Sequence, residues 1–363
     1  MRVHPRLPGH WAVWLALVML SAFSVFRLVH RAPPRTYDPR TAHRANATLM
    51  MWAQNIDLTG VLYAVSDVEM RFNRRHGYPW VILGDQKFDA NFKWRVQALV
   101  SGEVQFGFVK RKDMGQPPWI DNERASEARK KMAKQRIPNG ESLAKRNLYR
   151  YLAKNFADHE LMRQYRYYWR VEPTHQYMCD VDSDPFKLME QRNTSLGFTI
   201  TTREYSNTIR TLWQSVTKFV DERPDLIADD NMLSFLSPDG ATFDACSYWS
   251  ENEVADLDFY RSKAYSAFFD HLDRAGGFYY ERWADSAVHS LGAQILLPKE
   301  HTHFFADFGF RTEALNYRPT FQYCPTDNDV WMREQCICDS RVNYVSWPGS
   351  CLARWKSHMG YLE

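Results

Sequence analysis

The sequence carries almost no net charge: 46 Lys and Arg stand against 43 Asp and Glu, leaving +3 at pH 7. That excludes the strong basic field with which nucleic-acid binders hold phosphate backbones, and it gives no support to a strongly acidic partner. No internal repeat or low-complexity tract interrupts the chain, so repeat arrays are excluded as well. The closest cysteine pair, Cys336 and Cys338, is spaced too tightly for a usual structural zinc site. The charge-free apolar run Trp11 to Phe26 is short, reaching only ~24 Å as a helix.

That run still predicts a signal anchor. Leu28 and Val29 extend it to residues 11–29 if Arg27 snorkels to the headgroups, and a short span suits a thin secretory-pathway bilayer. Residues 1–10 are then a cytoplasmic tail, 30–45 a Pro-containing stem, and 46–363 one large domain. A cleavable signal peptide is the alternative, with Ser21, Ala22 and Ser24 as the small residues. Five arginines follow the run between Arg27 and Arg44, and positive-inside counting would leave the domain in the cytosol. The sequons at Asn46 and Asn193 point to the lumen instead.

Hydrophobic residues make up 45% and aromatics 15%, enough for a sizeable core. The 13 Trp and 19 Tyr include rings of the kind that line sugar pockets, although plain packing accounts for most such residues. Six cysteines, four of them after residue 323, predict disulfides that pin the C-terminal tail, with the pairing open and Cys179 readable as a buried free thiol in a strand. Apolar strand runs at 48–53, 80–83, 104–109, 165–171, 176–181 and 197–200 alternate with helical spacing at 58–73, 89–99, 121–135, 143–157 and 206–219. Alternation of this kind predicts an α/β domain with a mostly parallel, three-layer sheet, and ligands in such sheets bind at the carboxyl ends of the strands.

Several acids and cations are candidates for chemistry. Asp180, Asp182 and Asp184 follow a predicted strand, where alternate carboxylates share a face and would suit Mn²⁺ or Mg²⁺ on a nucleotide diphosphate; an Asp-rich turn before Pro185 explains them equally well. Glu172 closes another strand. Glu251, Glu253 and Asp256 lie beside Tyr248 and Trp249; on a helix Glu253 and Asp256 would share a face and stabilise or attack a sugar carbon, or simply complement a helix dipole. Arg282, Asp285 and His289 form a mixed cluster in which Arg282 suits a phosphate or an ion-pair network. His301 and His303 read as ordinary core or surface histidines.

Three stretches carry a resemblance. Tyr167 to Pro173 (YYWRVEP) with Cys179 to Asp182, the YWSENEVAD of Tyr248 to Asp256, and Gly276 to Asp285 (GGFYYERWAD) resemble signature segments of the fungal Golgi α-1,2-mannosyltransferases, glycosyltransferase family 15. The resemblance implies a GT-A-like fold on a type II Golgi membrane anchor. It also implies retaining transfer of mannose from GDP-mannose to the 2-hydroxyl of a mannoside on a glycoprotein, with Mn²⁺. By position it makes Glu253 the nucleophile, Glu172 a metal-holding acid in place of the Asp180 cluster, and Asp285 an active-site acid. Arg282 and Gln54 would contact GDP-mannose, and Tyr248 and Trp249 the acceptor.

The chain departs from that family's pattern at telling places. Thr174 stands where the family has the Asp of Glu-Pro-Asp, and Thr312 where it has a metal-binding His. Lys145 replaces an acceptor-site Tyr, Tyr149 a Cys, and Gln54 an Arg. Hydroxyls are poor Mn²⁺ ligands, so Arg311, next to Thr312, is expected to supply a fixed positive charge to the diphosphate. A second reading follows from the same departures: a paralogue without turnover that binds glycan or a partner within a Golgi mannosyltransferase complex.

Overall fold

The computed structural model describes residues 44–312 and 321–361. The predicted tail, anchor and stem lie outside them, except for the last two stem residues. Among the described residues no helix is long and apolar enough to cross a membrane.

The centre is a seven-stranded sheet. It is built from β1 (Ala47–Trp52), β2 (Trp80–Gly84), β3 (Val104–Phe108), β4 (Tyr167–Arg170), β6 (Leu196–Phe198), β9 (Val254–Asp256) and β10 (Thr302–Phe304). The order is β10-β6-β9-β4-β1-β2-β3. Strands β4, β1, β2 and β3 pair in parallel, as do β6 and β10, and only β9 runs antiparallel to its neighbours. Every residue of β1, β2 and β4 is buried, the signature of a sheet covered on both faces, and their largely apolar sequences reflect it. The mostly parallel α/β expectation therefore holds.

A second, antiparallel sheet joins β5 (His175–Tyr177), which follows β4 in the chain, to the distant β11 (Phe310–Thr312) and β12 (Phe321–Tyr323). This corrects the strand expected at 176–181: only its first residues pair, and they join the small sheet. A third pair, β7 (Thr201–Arg203) with β8 (Cys246–Tyr248), is antiparallel.

The Asp cluster is structural. Asp180 pairs with Arg71 and Asp182 with Arg75, each at 3.2 Å. Asp184 caps the helix Pro185–Arg192 and accepts from the Tyr78 hydroxyl at 2.7 Å. The turn reading is the one realised. Nor is Cys179 free: disulfides join Cys179 to Cys336, Cys246 to Cys351 and Cys324 to Cys338, and no cysteine is left over. The tail after β12 is thus tied to the loop after β5 and to β8, which supplies the order its sequence lacks.

One glycine places the strand end that matters. A Cβ on Gly60, in the helix Leu58–Val68, would come within 2.6 Å of the Pro173 carbonyl oxygen. Only glycine lets that helix pack directly on the Glu172-Pro173 turn.

Candidate active site

The parallel strands β1 and β4 end on one cleft made of two chambers. The larger, of about 680 Å³, is lined by residues that include Trp52, Lys145, Arg170, Glu172, Thr174 and Glu251. The smaller, of about 310 Å³, is lined by Tyr205, Trp249, Glu251, Arg282, Asp285 and Phe321 among others. Pro138, Asn139, Tyr149 and Glu251 border both.

Arg170, the last residue of β4, organises the floor. It is 5% exposed and donates Nε to Glu172 Oε1 at 2.7 Å. Its Nη1 donates to Asp285 Oδ2 and, at 3.3 Å, to Ser250 Oγ. Ser250 in turn donates to Asp285 at 2.9 Å. Burial alone would lower the Arg170 pKa, but the surrounding carboxylates outweigh it and hold the group well above its ordinary value. For Asp285, burial pushes upward while Arg170 and His289 pull harder, and the net pKa falls below the usual range. Asp285 is therefore an ionised carboxylate fixed by a forked cation, at the start of the helix Asp285–Leu296. Glu172 is raised, because its burial outweighs Arg170 and Lys145.

Glu253 does not occupy the position expected of a nucleophile. It precedes β9 in extended conformation, not on a helix, and is 1% exposed. Its Oε1 accepts from the Tyr168 hydroxyl and, at 3.4 Å, from Tyr260, and lies 2.8 Å from His289 Nδ1. His289 Nε2 lies 3.0 Å from the Leu152 carbonyl, which fixes it as a donor. With three partners and no contact with either chamber, Glu253 is a core carboxylate. Asp256 also goes elsewhere: it pairs with Arg166 at 3.2 Å and caps the following helix.

The remaining expected residues divide. Trp249 lines the smaller chamber, its ring 4.5 Å from Phe321. Tyr248 is corrected to a core residue: it stacks on Phe198 at 4.1 Å, and its hydroxyl accepts from Trp355 Nε1 at 3.0 Å. Arg282 lines the smaller chamber beside Trp249. Gln54 follows β1 and donates to Asp85 at 3.0 Å, outside the lining of either chamber. Arg311 lines neither chamber; on β11 it alternates with Thr312 and faces away from it. The cations that do line the cleft are Lys145, Arg170, Arg282 and Arg203, the last paired with Asp244 at 3.1 Å. Sequence reasoning missed Pro138, Asn139, Tyr205 and Phe321, which are far apart in the chain and carry no motif.

In the smaller chamber, Trp249 Nε1 and Arg282 Nε are buried donors without a partner among the described residues. Unpaired buried donors are costly and mark a place where a ligand supplies the acceptors. Replacing Trp249 with alanine is expected to raise the KM for a sugar acceptor at least tenfold with a smaller change in GDP affinity, measured by initial rates and calorimetry.

The family model described as glycolipid 2-alpha-mannosyltransferase matches residues 28–360. The chain belongs to this family. Alpha-1,2 mannosyltransferase KTR1 of Saccharomyces cerevisiae is 39% identical over 88% of this chain and 83% of its own length. Core-mannan synthase A from Aspergillus fumigatus, solved in a Mn/GDP form, superposes with a TM-score of 0.81 at 33% identity, covering 92% of this chain and 90% of that one. The S. cerevisiae mannosyltransferase Ktr4p, solved with GDP, gives 0.80 at 29% identity, covering 87% and 82%. The resemblance seen in the signature segments is borne out.

Mn in the core-mannan synthase A structure raises the question of a site in this glycosyltransferase, and the described residues around Glu172 do not make up one. Glu172 is committed to Arg170. The Thr174 and Thr312 hydroxyls lie 3.4 Å apart and pair with each other. His175, directly across the ladder from Thr312, is buried, and its Nδ1 accepts from the Glu172 amide at 3.0 Å. One ion-paired carboxylate and two neutral hydroxyls are a weak donor set for a hard divalent cation. The described clusters with ligand spacing contain Cys179, Cys336 and Cys338, or Asp244, Cys246 and Cys351, whose sulfurs are in disulfides.

Proposed function

We propose that this chain is a retaining α-1,2-mannosyltransferase that moves mannose from GDP-mannose to the 2-hydroxyl of a mannoside on a glycoprotein. The observation that carries the reading is the two-chambered cleft at the carboxyl ends of β1 and β4, in a chain with the family's fold and sequence. The larger chamber takes the nucleotide diphosphate. Lys145 supplies positive charge there. The smaller chamber takes the acceptor sugar, with Trp249 and Phe321 against its apolar face and Arg282 and the Trp249 N–H on its hydroxyls.

Within this reading the domain faces the Golgi lumen on a single-pass type II anchor. Its three disulfides and two sequons support an oxidising, glycosylating compartment. The rival, a binding subunit without turnover, draws on the paired Thr174 and Thr312 hydroxyls.

Calorimetric titration of the full-length chain with GDP tests the nucleotide assignment. Binding in the micromolar range, weakened less than about tenfold by EDTA, is expected (~1.4 kcal/mol per tenfold). Absence of GDP binding with and without Mn²⁺ would remove the donor assignment and leave the rival standing.

A further inference from the structure

The other carboxylates bordering the cleft are engaged. Glu172 and Asp285 share Arg170, Glu204 accepts from Ser286 Oγ at 2.9 Å, and Asp57 accepts from the Gln54 amide at 2.8 Å. Glu251 is the exception: among the described residues its carboxylate makes no hydrogen bond and no ion pair, and it is half-buried at the seam of both chambers. Its backbone is nonetheless firmly placed. It lies in the tight turn Ser250–Asn252. Ser250 is bonded to Asp285, and Asn252 accepts from Trp169 Nε1 and the Tyr177 hydroxyl and donates to Thr199. A fixed turn that presents one unpartnered carboxylate to the meeting point of two chambers is a pre-positioned reactive group.

We propose that Glu251 is the carboxylate that attacks the transferred mannose. The inference rests on the mannosyltransferase reading. Mannose is α-linked in GDP-mannose and α-linked in the product, so two inversions account for the outcome. In the first, a Glu251 oxygen gives an electron pair to the anomeric carbon as the bond to the diphosphate oxygen breaks, and GDP leaves with that pair. In the second, the acceptor hydroxyl oxygen bonds to the anomeric carbon, the ester bond to Glu251 breaks, and the carboxylate recovers its electrons. The hydroxyl proton passes to a phosphate oxygen of the retained GDP.

The surroundings give a pH signature. Burial, and next the negative charge of Glu172, push the Glu251 pKa up to about 7, against the pull of Arg170 and Lys145 and with a further push from Asp285. Arg282 lines the smaller chamber together with the group. Attack needs the ionised form, so the transfer rate is expected to rise with pH through about 7.

The test uses the full-length parent, Glu251→Ala and the isosteric Glu251→Gln, with GDP-mannose, a methyl α-mannoside acceptor and sodium azide. The account predicts that both variants bind GDP within about threefold of the parent yet transfer at least ~10³-fold more slowly. Glu251→Ala with azide should release β-mannosyl azide, identified by mass and NMR, because azide enters the space left by the carboxylate. Transfer by Glu251→Ala above a tenth of the parent rate would overturn the proposal, and so would loss of transfer without mannosyl azide. A parent that transfers no mannose would instead bring down the function itself, which keeps the two failures distinct.

Discussion

An Arg170→Met variant is expected to lose about 3–5 kcal/mol of stability, and mannosyl transfer with it. Arg170 is the only cation bonded to Glu172 and Asp285 among the described residues, and both it and Asp285 are nearly excluded from solvent. A neutral side chain leaves two carboxylates buried without their partner, and the methionine's packing does not offset that desolvation. The loss has a pH signature. In the parent the folded Asp285 pKa is depressed, so its contribution to stability is present above the unfolded value, near 4, and is lost as pH falls through the lower folded value. Without Arg170, burial raises the pKa instead, and Asp285 then destabilises the fold at neutral pH. The deficit of Arg170→Met should therefore shrink between pH 7 and pH 5 in urea denaturation. A deficit independent of pH would show that the clasp is not electrostatic. Arg170→Lys keeps the charge but loses the planar fork that spans Glu172, Asp285 and Ser250; a loss of ~100-fold in kcat with a smaller loss of stability is expected.

The second large effect is a gain. Thr174→Asp together with Thr312→His places a carboxylate and an imidazole where two hydroxyls now pair across 3.4 Å. With Glu172 nearby, this supplies the oxygen and nitrogen donors that Mn²⁺ accepts. GDP affinity of the double variant is expected to rise at least tenfold on adding Mn²⁺, against less than about threefold for the parent. Thr312 is fully buried, so a histidine there costs about 1–3 kcal/mol by overpacking. Thr174→Asp alone, at an exposed position, avoids that cost and should give a smaller gain in the same direction. A parent whose GDP binding already collapses in EDTA would show that the metal is held by a route these side chains do not reveal.

The sequence revealed the large sheet and concealed the small one for the same reason. Strands β1, β2 and β4 are largely apolar, broken only by Thr48 and the terminal Arg170, because both faces are covered, and such runs are visible without context. Strands β5, β11 and β12 are three residues each and owe their pairing to partners more than 130 positions away in the case of His175 with Thr312, so no local period announces them. The same limit governed the acids. Reading Glu253 and Asp256 with a helical period put both on one face, but the segment is a turn followed by a strand. The change from turn to extended chain there buries Glu253 against Tyr168 and His289 and leaves Glu251 open to the cleft. Arg170 lay inside a signature segment, but its role as the clasp of Glu172 and Asp285 depends on two carboxylates that only the fold brings to it. Arg311 lines neither chamber, while Lys145, on a distant helix, lines the larger one; position beside Thr312 in the sequence did not carry Arg311 to the cleft, because a strand sends neighbouring side chains to opposite faces.

The most direct test of the account is the product itself. The full-length chain is incubated with GDP-mannose and methyl α-mannoside, and the disaccharide is analysed by NMR. The account predicts a single new α-1,2 linkage, formed in EDTA as well as in Mn²⁺ and abolished in Arg170→Met. No disaccharide under either condition, from a chain shown to bind GDP, would contradict it and make this member of the family a binding protein.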